Sequence, residues 1–340
     1  MEGLYAFIDG LPKAELHMHL EGSLEPEMVM ELARRNSVDV PWASADELRS
    51  AYSYTDLDSF LAVFWGGCRV LRHEQDFYEM AMAYFKRARQ QNVLHAEVFI
   101  GLQSFIPLGV EMASILDGIT RARIDAEKEV GITSRLMVNI HRHRPESAAF
   151  DLLSQVAPWW DQIAAFGLAG PEMGNPPSRF ARFFGACRES GFRVVAHAGE
   201  EGPSSYVRET VSLLNADRVD HGNACIDDME LVQEIALKQI PLTLCPFSNL
   251  KLNVVNSLRD HPLKRLMNHG VKVTINSDDP SLFGGYINEN FKACCDELEL
   301  SKDQVVEIAR NSFTASFLSE AEKHRYLGIL DGYVAGGTAV

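Results

Sequence analysis

The sequence predicts an α/β fold in which eight parallel strands close into a (β/α)8 barrel, and three observations carry that prediction. Eight short apolar runs recur along the chain, separated by amphipathic stretches. The runs end in polar residues or glycine, which concentrates reactive side chains at strand ends. No G-x-G-x-x-G follows the first run, which disfavours an open, doubly wound sheet. The architecture is the TIM barrel, and it makes residues 1–340 a single domain.

The first run is AELHMHL (14–20), closed by Gly22. VLHAEVFI (93–100) and SRLMVNIH (134–141) are the second and third runs. IAAFGLAG (163–170), FRVVAHAG (192–199) and DRVDHG (217–222) each stop at glycine. IPLTLCP (240–246) and VKVTINSDDP (271–280) complete the set and stop at proline. Helical spacing of apolar residues marks GVEMASILDGITRARIDAEKEVG and DDMELVQEIALKQ between them. The interval from the first strand to the second is much longer than an ordinary crossover. Its aromatics recur at helical spacing. An insertion after strand one emerges at the C-terminal face of a barrel, so about 40–90 is expected to form a helical lid over the mouth. Phe60 and Trp65 are candidate pocket walls.

The hydrophobic share of 46% is enough for a large core. The net charge of -15 argues against nucleic acid or an anionic membrane as partner and suits a small neutral or cationic molecule. The opening MEGLYAFIDG has no basic segment of the secretory kind, and no apolar run is long enough to span a bilayer. The six cysteines are scattered without a C-x-x-C, so neither a disulfide framework nor a thiolate metal site is expected. A cytoplasmic protein is the economical expectation; the oligomeric state is not encoded in any of these features.

His17 and His19 are two apart, so a strand turns both imidazoles to one face. An isolated H-x-H pair is most simply structural, and the other strand ends decide the matter. The fifth run closes with His197 and Glu200, the sixth with His221, the eighth with Asp278 and Asp279. In a barrel these ends meet at one mouth, and burying such groups without partners would be costly. His17, His19 and His197 offer three neutral nitrogens and Asp278 an oxygen, with a position left for water. That is the donor set of a catalytic metal, most simply one Zn2+ per chain. His221 and Glu200 are then free for proton transfer. Asp279 cannot easily share the same vertex and is assigned to the substrate.

Other histidines are set aside. H-A-E at 95–97 matches half of a cytidine-deaminase-type zinc site, but the P-C-x-x-C half is absent, so His95 and Glu97 are read as structural. H-R-H at 141–143 is a second H-x-H pair at the end of strand three and could be another ligand pair, but the first set is already complete, so Arg142 and His143 are read as rim or supporting residues. His73, His261, His269 and His324 lie in helical or loop contexts and are expected at the surface.

In order, ELHMHLEG, HAGE, DHG and NSDDP resemble the motifs of the adenosine/adenine deaminases of the amidohydrolase superfamily. The resemblance runs from about Leu11 to the segment EIARNSFTASFL. It implies a zinc-bearing barrel in which hydroxide attacks purine C6 and ammonia leaves. His17, His19, His197 and Asp278 resemble the zinc ligands. Glu200 resembles the carboxyl that protonates purine N1, His221 the residue that orients the hydroxide and stabilises its charge, and Asp279 the partner of purine N7. Glu21 stands where the nucleoside branch carries Asp, and the longer carboxylate takes space a ribose needs. CPFSNLKL and SDDPSLFGGYINENF also resemble the adenine branch. The expected substrate is therefore the free purine base, with adenine converted to hypoxanthine. Gly170 and Glu172 in GLAGPEMGNPP look closer to the nucleoside branch, where the glycine N–H meets purine N3, so both join the expected substrate-binding residues. Pro171 departs from both branches, as neutral drift or as an altered pocket. The alternatives are a deaminase of N6-substituted (cytokinin-like) adenines, an adenosine deaminase, or another metal-dependent hydrolase. No lysine ends strand four, which counts against a two-metal site.

Overall fold

A computed structural model describes residues 2–336; Met1 and residues 337–340, counted in the single-domain reading, lie outside the described residues. Eight strands run in parallel and pair in sequence order: β1 (Lys13–His19), β2 (Val93–Ile100), β3 (Thr133–His141), β4 (Ile163–Ala169), β5 (Arg193–Ala198), β6 (Arg218–His221), β7 (Leu242–Leu244) and β8 (Val273–Ile275). All eight expected strands are present, within three residues at most ends. The barrel closes between β8 and β1 through an isolated bridge of Met18 with Asp278, in which His19 N–H donates to the Asp278 carbonyl at 2.8 Å. Side chains help: the Leu16 N–H donates to Asn276 Oδ1, and the buried Glu15 carboxylate accepts from the Ser277 N–H and the Tyr84 hydroxyl.

Helix α1 (Glu2–Gly10) precedes the barrel. Between β1 and β2 lie α2 (Pro26–Asn36), α3 (Ala45–Ser50), α4 (Leu57–Cys68) and α5 (Glu74–Gln90). Then come α6 (Met112–Glu129), α7 (Glu146–Gln155), α8 (Ala181–Glu189), α9 (Ser204–Ser212) and α10 (Met229–Lys238), one after each of β2 to β6. After β7 come α11 (Pro246–Lys251) and α12 (Leu263–Asn268). After β8 come α13 (Pro280–Phe283), α14 (Ile287–Leu298), α15 (Lys302–Thr314) and α16 (Glu320–Val334). The long interval divides by its packing. α5 buries Phe77, Met80, Ala81, Tyr84 and Phe85 and packs against α6 and β2, as a barrel crossover does. α4 instead lies over the mouth, where Phe60 stacks on Phe283 with ring centroids 4.7 Å apart.

The barrel interior is filled, not hollow. Phe99, Met137, Ala165 and Val195 form one fully buried layer inside it. Below them, toward the N-terminal ends of the strands, the Glu97 carboxylate pairs with the Arg218 guanidinium, both 0% exposed. Arg218 lies over the Phe317 ring at 4.2 Å, and Glu97 accepts the Phe317 N–H. His95 Nε2 stands 3.4 Å from Glu97 Oε1. These two motif residues therefore belong to the barrel floor. Among the described residues no helix is long and apolar enough to cross a membrane.

Candidate functional site

One cavity at the C-terminal mouth is lined by His19, Glu21, Phe60, Trp65, Gly170, His197, Glu200, His221, Asp278 and Asp279, together with Asn139 and His141. Each acidic or imidazole group arrives from a strand end or the turn just after it. Two do so through strained backbone: His221 (φ 61) and Asp278 (φ 63) are left-handed, a conformation that costs a non-glycine residue about 1–2 kcal/mol. The turn after β1 is built around its neighbour, because a Cβ on Gly22 would collide with the Asp279 carboxyl. Gly170 is also left-handed (φ 97), and there glycine leaves its backbone open to the cavity.

Asp278 is the hub. Its Oδ1 is 3.2 Å from His17 Nε2 and 3.2 Å from His19 Nε2, and His19 Nε2 is 3.2 Å from His197 Nε2. Ligands held by a tetrahedral ion at 2.0–2.1 Å stand roughly 3.3 Å apart, so this spacing fits a metal. His17 Nε2 is buried without a hydrogen-bond partner, as an atom reserved for a cation would be. The other ring nitrogens of His17 and His197 face acceptors: His17 Nδ1 is 3.0 Å from Thr243 Oγ1, whose hydroxyl donates to Asp220 Oδ1 at 2.9 Å, and His197 Nδ1 is 3.3 Å from Asp220 Oδ2. These partners keep the Nδ1 protons outward and the Nε2 lone pairs inward. Ligand atoms of His17, His197, His221 and Asp278 also lie within 4.8 Å of one another, so distance alone does not separate His221 from the ligands.

The carboxyl groups titrate in opposite directions. His17 and His19 hold Asp278 well below the usual carboxylate range against the effect of burial. Burial, reinforced by the Asp278 charge, pushes Glu200 well above it. Asp279 is raised in the same way, by burial and then by Asp278 and Glu21. A cation at Asp278 would offset that charge, while the burial of Glu200 and Asp279 would remain. Glu200 Oε2 lies 3.5 Å from His221 Nε2. Glu21 accepts the Gly101 N–H on Oε1 at 2.7 Å, while its Oε2 is buried without a partner.

Glu172 and His261 sit elsewhere than the sequence suggests. Glu172, expected to touch substrate, is 1% exposed, does not line the cavity, and accepts the backbone N–H groups of Gly199, Glu200, Glu201 and Gly202 at 2.6–3.0 Å. It anchors the turn that carries Glu200. Arg142, expected at the rim or in support, takes the supporting place: it is fully buried and donates to the carbonyls of His197 (2.7 Å) and Asn175 (2.9 Å). His261, expected at the surface, is 2% exposed and hydrogen-bonded to Asn249. His73, His269 and His324 are exposed, and His143 is exposed at the edge, 5.9 Å from the Trp65 ring centroid. Sequence reasoning missed His141 and Asn139. His141 sits one residue before Arg142 in the same H-R-H, and burial pushes it down to about 3, so it is neutral. Asn139 precedes it by two on β3, hence on the same face, and its amide reaches toward His19 Nδ1 at 3.5 Å.

Residues 12–333 match the family model described as adenosine deaminase. An adenine deaminase of Rhodopseudomonas palustris is 48% identical over 335 residues, covering 98% of both chains. The crystal structure of adenine deaminase from Arthrobacter aurescens superposes with a TM-score of 0.94 at 40% identity, covering 96% of this chain and 100% of that one. An amidohydrolase from Burkholderia ambifaria, solved with bound zinc, superposes with a TM-score of 0.91 at 26% identity, covering 98% and 93%.

Proposed function

The chain belongs to the adenosine deaminase family, and from that premise we propose that it hydrolyses adenine to hypoxanthine and ammonia, using one zinc ion held by His17, His19, His197 and Asp278. The observation that carries the reading is the convergence of Glu200, Asp278 and Asp279 on one cavity, with Asp278 3.2 Å from His17 and His19, and Glu200 3.5 Å from His221. Adenine presents two acceptors, N1 and N7, on either side of the carbon that carries the amine. Burial raises Glu200 and Asp279 toward the protonated form, which would make them donors for both. Glu200 gives its proton to N1, which makes C6 electrophilic, and Asp279 holds N7. When bound, zinc supplies hydroxide near neutral pH. His221 stands beside Glu200 and steadies the charge that develops at C6. Gly170 faces the N3 edge with its backbone. Phe60, Leu61 and Trp65 of α4 cover the ring and exclude water, so α4 and its approaches act as the lid.

Glu21 supports the free base over the nucleoside. Its Oε2 needs a donor, and free adenine has a ring N–H where adenosine carries ribose. The test is ammonia release from zinc-loaded protein given adenine, adenosine and N6-isopentenyladenine side by side. Adenine is expected to react fastest. No ammonia from any of the three would overturn the reading, and a preference for adenosine would overturn the assignment of Glu21. Shortening that side chain is a second check: Glu21→Asp is expected to raise the adenosine-to-adenine ratio of kcat/KM by about tenfold, the effect of roughly 1.4 kcal/mol of differential binding. A ratio that does not move would remove Glu21 from substrate selection.

A further inference from the structure

A chain of buried hydrogen bonds runs to His221 from outside the metal cluster. The Leu263 backbone N–H donates to His261 Nδ1 at 3.2 Å. His261 Nε2 is 3.1 Å from Asn249 Oδ1, and Asn249 Nδ2 is 3.3 Å from His221 Nδ1. His261, Asn249 and His221 are 2%, 0% and 1% exposed, so water does not compete for these positions.

The direction of this chain is set at its far end. A backbone N–H can only donate, so His261 Nδ1 accepts. A neutral imidazole that accepts on one nitrogen carries its proton on the other, and burial, which pushes His261 down to about 3, keeps it neutral. His261 Nε2–H therefore needs an acceptor, and Asn249 Oδ1 supplies it. The amide NH2 is thereby turned to His221; the opposite amide orientation would set N–H against N–H. His221 Nδ1 must then accept, and its proton resides on Nε2, the nitrogen 3.5 Å from Glu200 Oε2 and 3.8 Å from Asp278 Oδ2. His17 and His197 have the reverse arrangement, since their Nδ1 atoms face the acceptors Thr243 and Asp220. Distance does not separate His221 from His17 and His197, but the polarity at Nδ1 does; His19 Nδ1 faces the Asn139 amide at 3.5 Å with no second imidazole to fix that amide's orientation.

We propose that Asn249 and His261 are positioning residues that fix His221 as its Nε2–H tautomer, so that it presents a proton donor to the reacting centre instead of a fourth imidazole lone pair. The catalytic consequence rests on the deaminase reading; the tautomer does not. The test is ring-15N histidine NMR of the zinc-loaded protein, with the His221 signals identified by their loss in His221→Asn. In the wild-type protein Nδ1 is expected in the unprotonated range and Nε2 in the protonated range. Asn249→Asp keeps the shape but replaces the donor by a second acceptor, and is expected to move the proton to Nδ1. With it, kcat for adenine should fall about 10²-fold, as for loss of one donor at a developing charge, with KM and zinc content little changed. A wild-type His221 protonated on Nδ1 overturns the proposal whether or not the variant folds. A moved proton with unchanged kcat overturns the catalytic part, as does zinc lost together with the rate. Wild-type protein that shows Nε2–H yet deaminates none of the purines supports the tautomer and sinks the deaminase reading alone.

Discussion

Glu200→Gln is expected to lower kcat for adenine by about 10³-fold while one zinc per chain stays bound, within the range that general acid catalysis contributes. The substitution is close to isosteric. The turn carrying residue 200 is held by Glu172 through backbone N–H groups, which a change of side chain at 200 leaves intact. The amide can still donate a hydrogen bond to N1, so binding should survive and KM should change far less than kcat. What the amide cannot do is hand over a proton, and the loss therefore falls on the chemical step. Steady-state kinetics with elemental analysis of the purified variant separates these quantities. Turnover at the wild-type rate would remove Glu200 from the reaction.

His17→Ala should lose metal and activity together. Its Nε2 is one of four inward donors, and its Nδ1 is tied through Thr243 to Asp220, the carboxylate that also faces His197. On the proposed ligand set, truncation removes a ligand, and it leaves Thr243 without its imidazole partner. Loss of a supporting group alone weakens metal binding by about 10–100-fold, and loss of the ligand itself should exceed that. Thermal melts with and without added zinc give a second readout. Zinc should raise the wild-type Tm, because a ligand that binds only the folded state stabilises it, and should leave the variant unmoved. Full zinc occupancy at a normal rate would break the ligand assignment.

The strands were legible because a parallel barrel buries both faces of each strand, which leaves apolar runs such as VLHAEVFI that need no partner to be recognised. The polar residues at the cavity were legible for the same reason, since they interrupt apolar runs at fixed ends. What stayed hidden was pairing at a distance. Arg142 is buried because two carbonyls, 33 and 55 residues away, accept from it, and carbonyls leave no mark in a sequence. Glu172 looks like a substrate residue until its carboxylate is seen to be occupied by four backbone N–H groups. His261 looks like a surface residue because its partners are one amide side chain and one backbone N–H. His141 was within reach: it ends a buried strand beside Arg142, as His19 ends β1.

The floor of the barrel has a consequence for traffic. Glu97, Arg218 and Phe317 close the axis from below, and the layer of Phe99, Met137, Ala165 and Val195 closes it again beneath the imidazoles. The chamber is closed at its floor and opens toward the C-terminal mouth that α4 overhangs. On the deaminase reading, fresh water and purine enter, and ammonia and oxopurine leave, on the side of the C-terminal mouth. Each catalytic cycle is therefore a queue, in which the outgoing base has to clear the threshold before the next can be seated.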